Sequence, residues 1–197
     1  MTGTAKLLTN LAFAMMVLFG VIGGLFIAGY AFEDLSTWAA IGSTAAWLVP
    51  TVLLCLLSFS AHPAVPTVFV VLSGLVATFT VLDATTHLVD RDAIGPVAAI
   101  GVFALAVSLA FLGRRRMSLA GILLVGLGVV QLVATGVGFV DEWRGGGGPG
   151  LGDLLTTSSG VIVVPMLLVG ALFLVAGGLA HQSGRFWHLP PAARPAH

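Results

Sequence analysis

Apolar residues are strung along this chain in long runs interrupted by short polar segments. On a window of about 19 residues, six runs stand out, near Leu11–Ala31, Trp38–Phe59, Pro66–Asp83, Ala93–Gly113, Met117–Val140 and Gly160–Ala180. An α-helix needs about 20 apolar residues to cross a bilayer, and each run is close to that length. The predicted fold class is all-α: a polytopic membrane protein whose six transmembrane helices form a compact antiparallel bundle. Residues 1–180 are read as one transmembrane domain and residues 181–197 as a disordered cytoplasmic tail. The first run follows Lys6 and ends near "AGYA", as a secretory signal does. A signal core spans only about 7–15 residues, so this longer run is read as a helix that stays.

Composition strengthens the membrane assignment. The 197 residues are 58% hydrophobic and 8% charged, with a mean hydropathy of +1.09. Soluble domains carry about 25% charged residues, so water cannot be the solvent for most of this surface. Three adjacent arginines, Arg114 to Arg116, are the one basic block, which is too little for a nucleic-acid surface. The single cysteine, Cys55, excludes an internal disulfide and a thiolate zinc cluster. One lysine against seven arginines, amid abundant Ala, Gly, Val and Leu, suggests a GC-rich bacterial genome.

Charge sets the expected orientation. With the N-terminus inside, the cytoplasmic segments hold Lys6, Arg114, Arg115, Arg116, Arg185 and Arg194, and the outer face holds only Arg91 and Arg144. Positive residues in short loops favour the cytoplasm, so both termini are placed there, in a bacterial cytoplasmic membrane. All eight acids fall outside. Short links such as "EDLST", "SAHPAV" and the "RRR" turn predict that consecutive helices are neighbours. The exception is the glycine-rich outer loop over residues 141–159, whose composition favours flexibility.

Candidate chemistry centres on "TVLDATTHLVDRD", residues 80–92. If the third helix continues past Leu82, then Thr80, Asp83, His87 and Asp90 share one face. Asp83, His87 and Asp90 are the candidate ligands for a divalent metal, or a proton relay near neutral pH. The plainer alternative, favoured here, is a helix end meeting headgroup water, with Asp92 at the start of the next helix. Gln131, an amide deep within a predicted span, is the candidate polar-pathway residue, although interhelical glue is the commoner role. Pro50 and Pro165 interrupt the second and sixth spans. Small residues recur four apart at Gly20/Gly24, Ser73/Ala77, Ala106/Ala110 and Ala176/Ala180, a spacing that lets helix backbones approach.

No nucleophilic triad, H-E-x-x-H motif or phosphate-binding glycine loop is present, and no cofactor is expected. The expected function is that of a non-enzymatic accessory or interaction subunit of a membrane assembly. Its partners would be the lipid bilayer and another protein, or a second copy of the chain, met through small-residue helix faces. The alternative is a small solute or ion transporter or channel whose polar pathway uses Asp83, His87 and Gln131.

Overall fold

The computed structural model describes residues 3–34, 36–60, 62–86, 97–138 and 158–187. They form six helices: α1 Gly3–Asp34, α2 Thr37–Phe59, α3 Val65–Thr86, α4 Val97–Gly113, α5 Met117–Gly138 and α6 Ser158–Trp187. The described residues contain no strand. α2 is entered through Ser36, whose carbonyl accepts the Ala40 N–H at 2.9 Å, and it closes where the Ser60 N–H donates to Leu57 O. Two prolines, Pro63 and Pro66, restart the chain as α3. Pro suits a first helical turn because the N–H it lacks would have no helical acceptor there.

Five helices hold stretches long and apolar enough to cross a membrane: Gly3–Gly23, Ala40–Phe59, Val65–Asp83, Met117–Ala134 and Val163–His181. The described part of α4 is the 17 residues Val97–Gly113, and its packing sets it apart from the other five. Every residue from Val102 to Ala110 is buried, and α4 touches all five other helices. A helix that is apolar all round belongs where it is covered all round. Around it the remaining helices pack in the order α2, α1, α6, α5, α3.

Several expectations shift. α1 begins at Gly3, well before Leu11. α6 stays helical to Trp187, past the end of the sixth apolar run at Ala180. Helices α2 and α6 run through Pro50 and Pro165 unbroken. Residues 87–96, most of the predicted loop over 141–159, and residues 188–197 lie outside the described residues. Among the described residues α2 and α3 barely meet, although a tight turn joins them, because each packs on other helices: α2 mainly on α4 and α3 mainly on α5. The rule that a short link makes neighbours is overridden by the need to surround α4.

On α1 and α2 the faces are inverted relative to those of a water-soluble bundle. Buried positions on α1 are Ala5, Thr9, Ala12, Met16 and Gly20, while Leu7, Leu11, Leu18 and Ile22 face out. On α2, Thr51 and Ser58 are buried while Leu48, Leu53 and Leu56 are exposed. Small and hydroxyl residues inside with leucines outside is the arrangement expected where the solvent is lipid. Three buried hydroxyls are satisfied within their own helices: Thr9 donates to Ala5 O at 2.8 Å, Thr80 to Val76 O at 2.9 Å and Ser108 to Ala104 O at 2.7 Å, whereas Ser73 Oγ and Thr44 Oγ1 have no partner among the described residues. Such internal bonds spare a polar group the cost of bare exposure to hydrocarbon.

The closest helix approach is between α5 and α6. A Cβ built on Gly170 would lie 3.0 Å from the Val125 backbone N, and one on Gly121 would lie 2.9 Å from the Gly170 carbonyl oxygen. Gly128 abuts Leu167, and Gly177 abuts Ser118. Partner numbers fall on α6 as they rise on α5, so this pair runs in opposite directions. The seam glycines are seven apart on each helix: Gly121 and Gly128, Gly170 and Gly177. A seven-residue spacing keeps one face of a helix toward its neighbour over two turns. Of the small pairs anticipated at four-residue spacing, Ala106 and Ala110 are fully buried on α4 and Gly20 lies against Val107.

Candidate functional site

The stretch that drew attention in the sequence is divided by the structure. Thr80 is buried, with its hydroxyl used internally, and Asp83 is half-buried three residues further along α3. His87 and Asp90 lie outside the described residues. Asp83 already has an interaction partner. Gln131, on α5, is half-buried and also engaged. It sits towards the end of α5 remote from the arginines, not at the centre of the bundle. α3 and α5 are packed together, so Asp83 and Gln131 belong to adjacent helices. Among the described residues no three His, Cys, Asp or Glu side chains converge as a metal site would require.

The opposite end of the bundle holds a different cluster. There α2 and α4 finish and α3 and α5 begin, and their connecting turns enclose a pocket of about 230 Å³. It is lined by the polar residues Ser58, Ser60, His62, Arg115 and Arg116 and by the apolar residues Val65, Pro66 and Leu112. The turn over 60–65 is held by its own hydrogen bonds. The His62 N–H donates to Ser60 Oγ at 3.3 Å, the Ala64 N–H to His62 Nδ1 at 3.2 Å and the Val65 N–H to His62 O at 3.2 Å. With Nδ1 accepting, the neutral imidazole carries its proton on Nε2, which leaves that nitrogen as a donor. Ser58 is buried, and its hydroxyl donates to Cys55 O at 2.6 Å.

The arginine turn is equally ordered. Arg115 and Arg116 each donate a backbone N–H to Leu112 O, at 3.0 and 2.8 Å, and Arg116 O receives the Ala120 N–H that opens α5. The three arginines are not equivalent. Arg114 places its guanidinium 4.8 Å from the centre of the Phe13 ring on α1, and that ring stands edge-on to Phe111 at 4.9 Å. Arg115 and Arg116 line the pocket instead.

The start of α5 meets the start of α1 here, through the bond from Thr9 to Met117, and the later part of α6, through the approach of Gly177 to Ser118. Side chains give this end its positive charge. Lys6 and Arg114 to Arg116 are exposed here. The nearest described acid along α3, Asp83, stands 18 residues from Val65, about 27 Å at 1.5 Å per residue.

No protein-family model, no curated protein and no solved structure matches this chain. The pocket therefore stands on its geometry alone. In the sequence, the "SAHPAV" link and the arginine triplet are two separate short turns, and nothing local joins them. The available signal was that "SAHP" and "GRRR" both fall at the same end of alternate helices, one turn closing α2 and the other closing α4.

Proposed function

We propose that this chain is a six-crossing protein of the bacterial cytoplasmic membrane, an antiparallel bundle with both termini and the arginine turn on the cytoplasmic side. We propose further that it acts as a non-enzymatic accessory or interaction subunit of a larger membrane assembly. The observation that carries this reading is the position of α4. A helix with consecutive buried residues from Val102 to Ala110, Ser108 their single polar member, occupies the axis along which a pore would run. Ser108 spends its hydroxyl on Ala104 O. What the bundle offers its surroundings is its outer faces, chiefly α2, where Ile41, Leu48, Val49, Val52, Leu53 and Leu56 are all exposed. Those faces suit lipid or the apolar face of another membrane helix.

A transporter or channel is the second reading. In its favour, Asp83 and Gln131 are both half-buried on helices that pack together, and with His87 they would form its polar pathway. The filled axis weighs against it.

The deciding experiment is native mass spectrometry of the protein extracted gently from its own membrane. A second polypeptide at fixed stoichiometry is the expected result. Recovery of the chain always alone, together with solute flux when it is reconstituted into liposomes, would refute the accessory reading.

A further inference from the structure

We propose that the pocket between the α2–α3 and α4–α5 turns is a binding site for a phosphate-bearing anion, held by Arg115, Arg116 and the Nε2–H of His62. The inference does not depend on the accessory reading.

Four observations converge on it. Arg115 and Arg116 are adjacent cations on one wall of a concave site, and among the described residues neither has an acidic partner. Like charges held side by side repel, and an anion between them relieves that repulsion. Guanidinium groups suit phosphate in particular, because their forked N–H donors match its oxygens in pairs. His62, in the pocket lining, adds a third donor, because the Ala64 N–H bond to Nδ1 at 3.2 Å leaves the Nε2–H as its donating nitrogen. The pocket volume of about 230 Å³ exceeds the roughly 30 Å³ that one water occupies by enough to seat a phosphate group with companion waters. The lining also includes Val65, Pro66 and Leu112, with Leu112 buried among the core residues, so donors for a phosphate and apolar side chains for an attached carbon skeleton occur in one pocket. Basic pockets between membrane helices are known to take acidic lipid headgroups. A free phosphate ion presents the same oxygens.

The test uses the full chain in mild detergent containing equal amounts of phosphatidylglycerol and phosphatidylcholine, with bound lipid counted by native mass spectrometry. The wild-type chain is expected to retain one phosphatidylglycerol at a preference of about tenfold or more, the scale of losing one or two charge-assisted hydrogen bonds. The R115Q/R116Q variant is expected to lose that preference. R114Q is expected to keep it, because Arg114 is turned to Phe13. Inorganic phosphate, titrated while the His62 ring is followed by NMR, separates the two sources. A saturable shift that R115Q/R116Q abolishes, accompanied by displacement of the lipid, identifies the free ion as a ligand. Lipid retention that inorganic phosphate leaves unchanged identifies the headgroup. Both outcomes support the site. Equal lipid preference in wild type and R115Q/R116Q, with no phosphate-dependent shift at His62, overturns it. Both arginines are exposed, so the variants are expected to melt with the wild type, and a common melting midpoint keeps the comparison valid.

Discussion

Replacing Gly170 by alanine adds one methyl group where α5 and α6 come closest. The new Cβ would sit 2.8 Å from Val125 Cγ2, 3.0 Å from the Val125 backbone N and 3.1 Å from Leu124 Cβ. A side-chain tip can rotate aside, but a backbone nitrogen cannot, so the helices must separate. Overpacking of this kind costs about 1–3 kcal/mol. Against it stands the preference of a helix for alanine over glycine, about 0.8–1.0 kcal/mol. The net expectation for Gly170→Ala is a loss of roughly 0–2 kcal/mol.

Gly178→Ala removes the ambiguity. Gly178 lies on the same helix, and a Cβ there would meet nothing within 4 Å. It shares the propensity gain without the clash. The difference between the two variants therefore isolates the steric cost of about 1–3 kcal/mol. Equilibrium unfolding by sodium dodecyl sulfate in mixed micelles, followed by far-ultraviolet circular dichroism, measures it. Gly121→Ala and Gly126→Ala repeat the comparison on α5, because a Cβ on Gly121 meets Gly170 O at 2.9 Å and one on Gly126 meets nothing within 4 Å. Gly121 and Gly170 face each other, so the double variant should lose less than the sum of the two singles. Equal midpoints for Gly170→Ala and Gly178→Ala would show that the seam is not close-packed, and the reasoning would fail.

Other expectations can be checked with similar means. Phe173 is fully buried against Gly113. Phe173→Ala should destabilise the bundle by an amount near or below the lower end of the about 3–5 kcal/mol typical of soluble cores, because lipid is as apolar as the protein interior and only the packing loss remains; a change indistinguishable from zero in the same unfolding assay would contradict that burial. Ser108→Ala removes a hydroxyl bonded mainly within its own helix, at 2.7 Å to Ala104 O, and should alter stability by less than about 1 kcal/mol. In a Cys55→Ala background, cysteines placed by Ser60→Cys and Thr37→Cys should react with impermeant thiol reagents from opposite sides of the membrane, Ser60→Cys from the cytoplasm; reaction of both from one side would defeat the proposed orientation. If residues 83–90 are an interfacial helix end, elemental analysis of the purified protein should find no stoichiometric divalent metal that His87→Ala removes, whereas a one-to-one ion lost in that variant would establish Asp83, His87 and Asp90 as a metal site.

Much of the local architecture was legible in the sequence. Apolar runs placed α2 and α3 within a few residues, because hydropathy senses the one property that a membrane-crossing helix cannot lack. Polar turns marked where helices stop, at Ser60 and at Arg114, because backbone groups released at helix ends need water or polar partners. The same measure is blind to what an apolar surface faces. Lipid tails and protein side chains are alike in hydropathy, so nothing in the runs themselves separates α4, enclosed by five helices, from α2, whose leucines point outward. Tertiary packing decided that α4 takes the axis and that α2 and α3 part around it despite their short link. It also decided that Gly121 and Gly170 form the tightest seam, since whether a glycine is a space for another helix depends on the helix opposite. The pocket is the clearest case. His62 and Arg115 are 53 positions apart, each unremarkable in its own turn, and only the folding of two turns onto the same end of the bundle makes them one cationic site.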